Sequence, residues 1–154
     1  MRIQRPARSF AFILSLALIL TTAGCSSIAR MLISTENGDQ NWIIVEGVPR
    51  DGATLTFSEV QIDGNGWLVI HPFKDGKPHG KIYTGASYVA DGINRDVAIT
   101  LDEEPSKGDM LFVMLHSDVN ENKEFDFVFV DSVSVLDKAV LEGLTMIGHA
   151  ISAP

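Results

Sequence analysis

Turn signals recur along this chain at intervals of about ten residues, and that spacing constrains the fold more than any other feature. PRDG at 49–52, DGNG at 63–66, KDGKPHG at 74–80, ADG at 90–92 and EEPSKGD at 103–109 gather Gly, Pro, Asp and Ser. These residues supply positive φ, fix φ or bond their own backbone. Between and beyond the signals lie short β-type runs: NWIIVE (41–46), ATLTFSEVQI (53–62), GWLVIHP (66–72), GKIYTG (80–85), RDVAITL (95–101), MLFVMLH (110–116), FVFV (127–130) and TMIGHAI (145–151). The pattern predicts an all-β chain, a single immunoglobulin-like antiparallel β-sandwich of about seven to eight short strands.

Within RDVAITL, Val97, Ile99 and Leu101 share one parity and Asp96, Ala98 and Thr100 the other, as a half-buried strand requires. In TLTFSEVQI, Leu55 and Phe57 fall on one parity while Val60 and Ile62 fall on the other; one extra residue near Ser58–Glu59, a β-bulge, would bring them to one face. WLVI, MLFVML and FVFV are apolar on both parities, so the sheet that carries them needs cover on its outer side as well. Residues 133–144 (VSVLDKAVLEGL) offer a helical stripe of Leu136, Val140, Leu141 and Leu144 for that role; the alternative cover is a partner protein or a second copy.

The N-terminus reads as an address. Arg2, Arg5 and Arg8 precede an apolar run at 9–20, too short to span a bilayer, and small residues lead to Cys25, the only cysteine. Ala23, Gly24 and Cys25 resemble the end of a bacterial lipoprotein signal, in which the cysteine becomes the lipidated first residue of the mature chain. Residues 1–24 are therefore expected to be a signal peptide, 25–40 a lipidated tether and 41–154 the sandwich domain. Ser26 carries no acidic retention signal, which points to the outer membrane, at its periplasmic face or the surface. Removing 1–24 takes three of the twelve basic residues and none of the twenty acids. An anionic mature chain offers no basic stripe for nucleic acid and favours cations or basic partners.

One segment invites metal chemistry. HSDVNENKEFDF (116–127) sets Asp118, Asn120, Asn122, Glu124 and Asp126 in strict alternation. Calcium takes six to eight oxygen ligands from carboxylates, amides and backbone carbonyls of one tight loop. Counted from Asp118, the first half of an EF-hand ladder is present, but Lys123 stands at the glycine position and Phe129 where the closing glutamate belongs. A different calcium loop closed by Asp131 or a backbone carbonyl is one reading; a hairpin of Asx-turns is the other. The histidines give a second candidate. His71, His116 and His149 lie at or near strand ends, with Met114 and Met146 close by in sequence, and imidazole with thioether suits copper as Cu(I). No GxSxG, phosphate loop or nucleophile–base arrangement is present, so no enzyme is expected.

GWLVIHPFKDGK, ADGINRDVAITLDEE and MLFVMLHSDVNENKEFDF together resemble a small all-β domain of unknown function that occurs in exported proteins of halophilic archaea and bacteria. His71, His116, Asp118, Asn120, Asn122, Asp126 and Phe127 fall on its recurring places. Its pattern usually has a glycine inside the Asx ladder, where this chain has Glu121 and Lys123. The resemblance implies an exported β domain and carries no activity. The functional expectation is a non-enzymatic, lipid-anchored envelope module for interaction or structure; the alternative is a periplasmic metal-handling protein using calcium or copper.

Overall fold

The computed structural model describes residues 34–127, 129–130, 133–134 and 136–154. The expected signal peptide at 1–24, Cys25 and Asp131 lie outside the described residues. Among those described there are thirteen strands and no helix: β1 (Ser34–Glu36), β2 (Trp42–Ile43), β3 (Arg50–Asp51), β4 (Thr54–Ile62), β5 (Gly66–Lys74), β6 (Lys77–Pro78), β7 (Gly85–Val89), β8 (Gly92–Thr100), β9 (Met110–Ser117), β10 (Phe129–Val130), β11 (Val133–Ser134), β12 (Leu141–Glu142) and β13 (Thr145–Ser152).

They form two main sheets in a sandwich-like all-β fold. In the smaller sheet β4 pairs with β8 along one edge and with β2 and β3 along the other. In the larger sheet β5 lies between β7 and β9, β13 follows β9, and β1 pairs with β13 in parallel. Ile43, Leu55, Phe57, Val60 and Ile62 of the smaller sheet pack against Leu68, Ile70, Leu111, Val113, Leu115 and Ile147 of the larger one. Each such side chain contributes on the order of 1.5–3 kcal/mol by leaving water.

The alternation in β4 does change parity, but not through a bulge. Phe57 pairs with Val97 and Glu59 with Arg95, so the register is unbroken across the change. Asp96, opposite Ser58, has φ +51°, and burial in β8 shifts parity at the same place. Both strands turn over together, whereas a bulge sets two residues against one.

Three other expectations are corrected. The strand placed at 80–85 sits at Gly85–Val89, after a turn. The stretch expected as tether supplies β1, whose Ser34 pairs with Thr145. The described residues of 133–144 contain no helix; β12 and β13 form a hairpin whose two-residue loop, Gly143–Leu144, starts with a glycine at φ +60°.

The outer face of the larger sheet is nonetheless covered. Trp67, Val69 and His71 of β5 and Phe112, Met114 and His116 of β9 have the opposite parity to the main core and are all buried. The loop after β9 supplies the cover: Phe125 packs at 5.5 Å on Trp67 and 5.4 Å on His116, and Phe127 at 5.0 Å on His116.

Candidate functional site

The covered face brings His71 and His116 together. β5 and β9 are antiparallel neighbours in which His71 lies opposite Phe112 and His116 opposite Trp67. The histidines are thus four positions apart along the strand pair, on one face, with the Val69–Met114 pair between them. Their rings reach towards each other, leaving the two Nε2 atoms 3.4 Å apart and the ring centroids 5.6 Å apart. His71 Nδ1 lies 2.6 Å from the carbonyl oxygen of Ile82, and His116 Nδ1 lies 2.5 Å from that of Asp137. A carbonyl oxygen only accepts, so each Nδ1 carries the hydrogen, and in the neutral ring each Nε2 then presents a lone pair.

Burial favours that neutral form. Desolvation pushes His116 down to about 4 against the bond to the Asp137 carbonyl, and the neighbouring His71 adds to the push. His71 is lowered by the same cause, against backbone hydrogen bonding at Ile82 and His79, with the charge of the His79 side chain adding a smaller push down. Phe127 meets both rings edge-on, at 5.6 Å from His71 and 5.0 Å from His116, and Phe125 stacks on Phe127 at 5.7 Å. Tyr83 closes on Phe125 at 4.9 Å. His149 stays apart. It pairs with Val113, whose parity faces the main core, and its Nε2 lies 2.8 Å from Asn37 Oδ1.

The acidic loop adjoins this pocket and is closed by its own hydrogen bonds. Asn120 Oδ1 accepts from the Asn122 N–H at 3.4 Å, and Asn122 Oδ1 from the Glu124 N–H at 2.8 Å. Both Asn amides donate through Nδ2 to Asp126 Oδ2, at 3.1 and 2.8 Å. The amide oxygens therefore serve Asx-turns and do not converge on one centre. Asp118 is buried; its Oδ2 accepts from the Lys123 N–H at 3.1 Å, while its Oδ1 is buried without a hydrogen-bond partner. Glu124 is exposed. No three His, Cys, Asp or Glu side chains gather in metal-binding geometry among the described residues.

Asp137 joins the two clusters. Its carbonyl receives His116, and its carboxylate receives the Val119 N–H at 3.3 Å and the Asp126 N–H at 2.6 Å. Burial raises its carboxyl above the usual range, the two N–H donors oppose this, and Asp118 and Asp126 add to the rise. Asp137 was not among the residues expected from the sequence; its place three, four and seven residues before Val140, Leu141 and Leu144, inside the apolar stripe, is the signal that could have found it. Glu121 and Lys123 stand at φ +56° and +59°, the left-handed region that glycine adopts without strain. They are the residues that this chain has inside the Asx ladder, where the resembling pattern usually has a glycine.

A family model for a domain of unknown function, DUF7282, matches residues 42–146. The chain belongs to the DUF7282 family. The match runs from β2 into β13, so the histidine pair and the acidic loop are both inside the DUF7282 domain. Over 77 residues, half of this chain, the protein is 31% identical to cell surface glycoprotein 2 of Haloarcula hispanica and 29% identical to cell surface glycoprotein 1 of the same organism. The matched region spans 8% of the length of each glycoprotein. No solved structure matches.

Proposed function

We propose that this DUF7282 protein is a non-enzymatic envelope module, exported by residues 1–24 and anchored by a lipid on Cys25. The observation that carries the reading is the similarity to cell surface glycoproteins, which supports an exported setting. The sequence before Cys25 supplies the export signal, and the lone thiol is the natural point of acylation. The domain would act as a structural or interaction unit at the membrane surface, with a protein partner or a second copy as its contact. Metabolic labelling with a palmitate analogue tests the anchor. Label should enter the chain and be lost with Cys25→Ser, which should also move the protein from the membrane to the soluble exported fraction. A wild-type chain that takes no label and fractionates as soluble would refute the proposal.

Calcium at the loop 118–126 is a second reading, favoured by one observation: Asp118 Oδ1 is buried and unpartnered beside Asp126 and Asp137. An ion there would take Asp118 and Asp126, with the Asn120 and Asn122 amides turned to present oxygen. A calcium-dependent rise in melting temperature that disappears with Asp118→Ala is the test.

A further inference from the structure

We propose that His71, His116 and Met114 form a buried three-coordinate site for a soft monovalent cation, Cu(I) or Ag(I). The site uses none of the carboxylates of the acidic loop and is independent of how the chain is anchored.

Four observations carry it. Both imidazoles have their Nδ1 hydrogens committed to backbone carbonyls, of Ile82 and Asp137, so both Nε2 lone pairs point into one space. Such a bond from the far ring nitrogen to a carbonyl is the arrangement that fixes the tautomer and orientation of metal-bound histidines and raises their basicity. Two such lone pairs facing each other across 3.4 Å repel unless a proton or a cation lies between them. The spacing also fits an ion. Two nitrogens bound at about 2 Å to a trigonal centre lie roughly 3.5 Å apart, close to the 3.4 Å found between the Nε2 atoms.

The register supplies the third donor. Met114 lies two residues before His116 on β9 and opposite Val69, itself two residues before His71, so its position is on the same face, in register between the two histidines. It is buried there. A thioether with two imidazoles selects Cu(I) and its softer analogue over hard divalent ions. The surroundings select for low charge as well. Phe125 and Phe127 form the lid, and the Asp137 carboxylate is turned to the Val119 and Asp126 N–H groups. A single positive charge is the most such an apolar enclosure accommodates, because each further uncompensated charge carries a steep desolvation cost.

The test uses the full chain in detergent with Cys25→Ser, which removes the one competing thiol. Ag(I) is added directly, and Cu(I) is offered in competition with a chromogenic Cu(I) chelator. One equivalent of either ion should bind, and the melting temperature should rise with it. His71→Gln and His116→Gln should each weaken binding at least 100-fold, Met114→Leu about 10-fold, and His149→Gln on the other face should leave it unchanged. Imidazole nitrogen NMR of the unsubstituted pocket gives a readout that needs no variant in it: Ag(I) should move the Nε2 signals of His71 and His116 and leave both Nδ1 signals protonated. No binding overturns the proposal. So does binding that survives His71→Gln, or an NMR response limited to a proton shared between the rings.

Discussion

Gly66 of β5 lies against the backbone carbonyl of His116 so closely that a Cβ at that position would overlap its oxygen and the Ile62 side chain. The neighbouring atom is main chain, so it cannot swing aside. Gly66→Ala should therefore push β5 away from β9 at the end of the sheet that holds His116. A loss of about 1–3 kcal/mol is expected, the range for overpacking a filled interior. Urea denaturation with an unchanged m-value would show it; a variant as stable as wild type would place the two strands further apart than described.

Glu121→Gly should stabilise the domain. Glu121 is exposed and holds φ +56°. Glycine reaches that region without the Cβ clash, which costs on the order of 1–2 kcal/mol, and gives part of this back as backbone entropy of the unfolded chain. The net gain should be about 0.5–1 kcal/mol, read as a higher urea midpoint. Unchanged or lower stability would refute a left-handed residue there.

Removing the aromatic lid should loosen the pocket. Phe125 touches Trp67, Tyr83, His116 and Phe127 while remaining partly exposed. Phe125→Ala is expected to cost about 2–3 kcal/mol, at or below the low end for a buried phenylalanine. Because Trp67 is buried beneath it, near-ultraviolet circular dichroism should weaken as well. An unchanged tryptophan signal would show that the loop covers the sheet differently.

Calcium at about 1 mM should stabilise the protein by roughly 1.4 kcal/mol if the acidic loop binds it with a dissociation constant of about 0.1 mM. Asp118→Ala should abolish the gain. A melting curve indifferent to calcium and chelator would leave the loop as a set of Asx-turns.

Acid should detach the edge of the larger sheet at Glu142. Burial works to raise this carboxyl, yet the side-chain amide of Asn41 and the N–H groups of Asp39 and Gln40 hold it below the usual range. A folded value below the unfolded one means the stabilisation is complete above the unfolded value, near 4.5, and fades as pH falls through the folded one. Glu142→Gln should flatten stability against pH in that window, with a small effect at pH 7 because the carboxylate is largely solvated. A pH profile identical to wild type would show that the carboxylate does not hold the 39–41 turn.

Much of the fold was legible in the chain, for local reasons. β4, β5, β9 and β13 announce themselves through alternation or through runs of Val, Ile, Leu and Phe. β7 was displaced because GASYV has little apolar signal; Gly85 is small because a Cβ there would press on the Thr100 carbonyl oxygen, a contact made only once β8 is in place. The 133–144 segment misled because leucines spaced three and four apart imitate a helical stripe, while the Gly143–Leu144 hairpin takes its meaning from β13. His71, His116 and the polar residues of 118–126 were singled out from the sequence, but His149, named beside them, lies on the other face, and Asp137 and the cover by Phe125 were not foreseen. What could not be read was their geometry: the meeting of His71 with His116 depends on the register of β5 against β9, and Asp137 joins them from across a loop.

β13 follows the other twelve described strands and yet stands between β9 and β1, with Ser34 paired to Thr145. Until that last segment arrives, β9 has an open flank, the parallel partner of β1 does not exist, and the larger sheet is incomplete. Closure across such sequence distances is slow compared with folds built on neighbouring contacts. A polypeptide with this order of assembly can complete its larger sheet only once its latest strand is available, so the histidine-bearing strands β5 and β9 gain their full lateral support last.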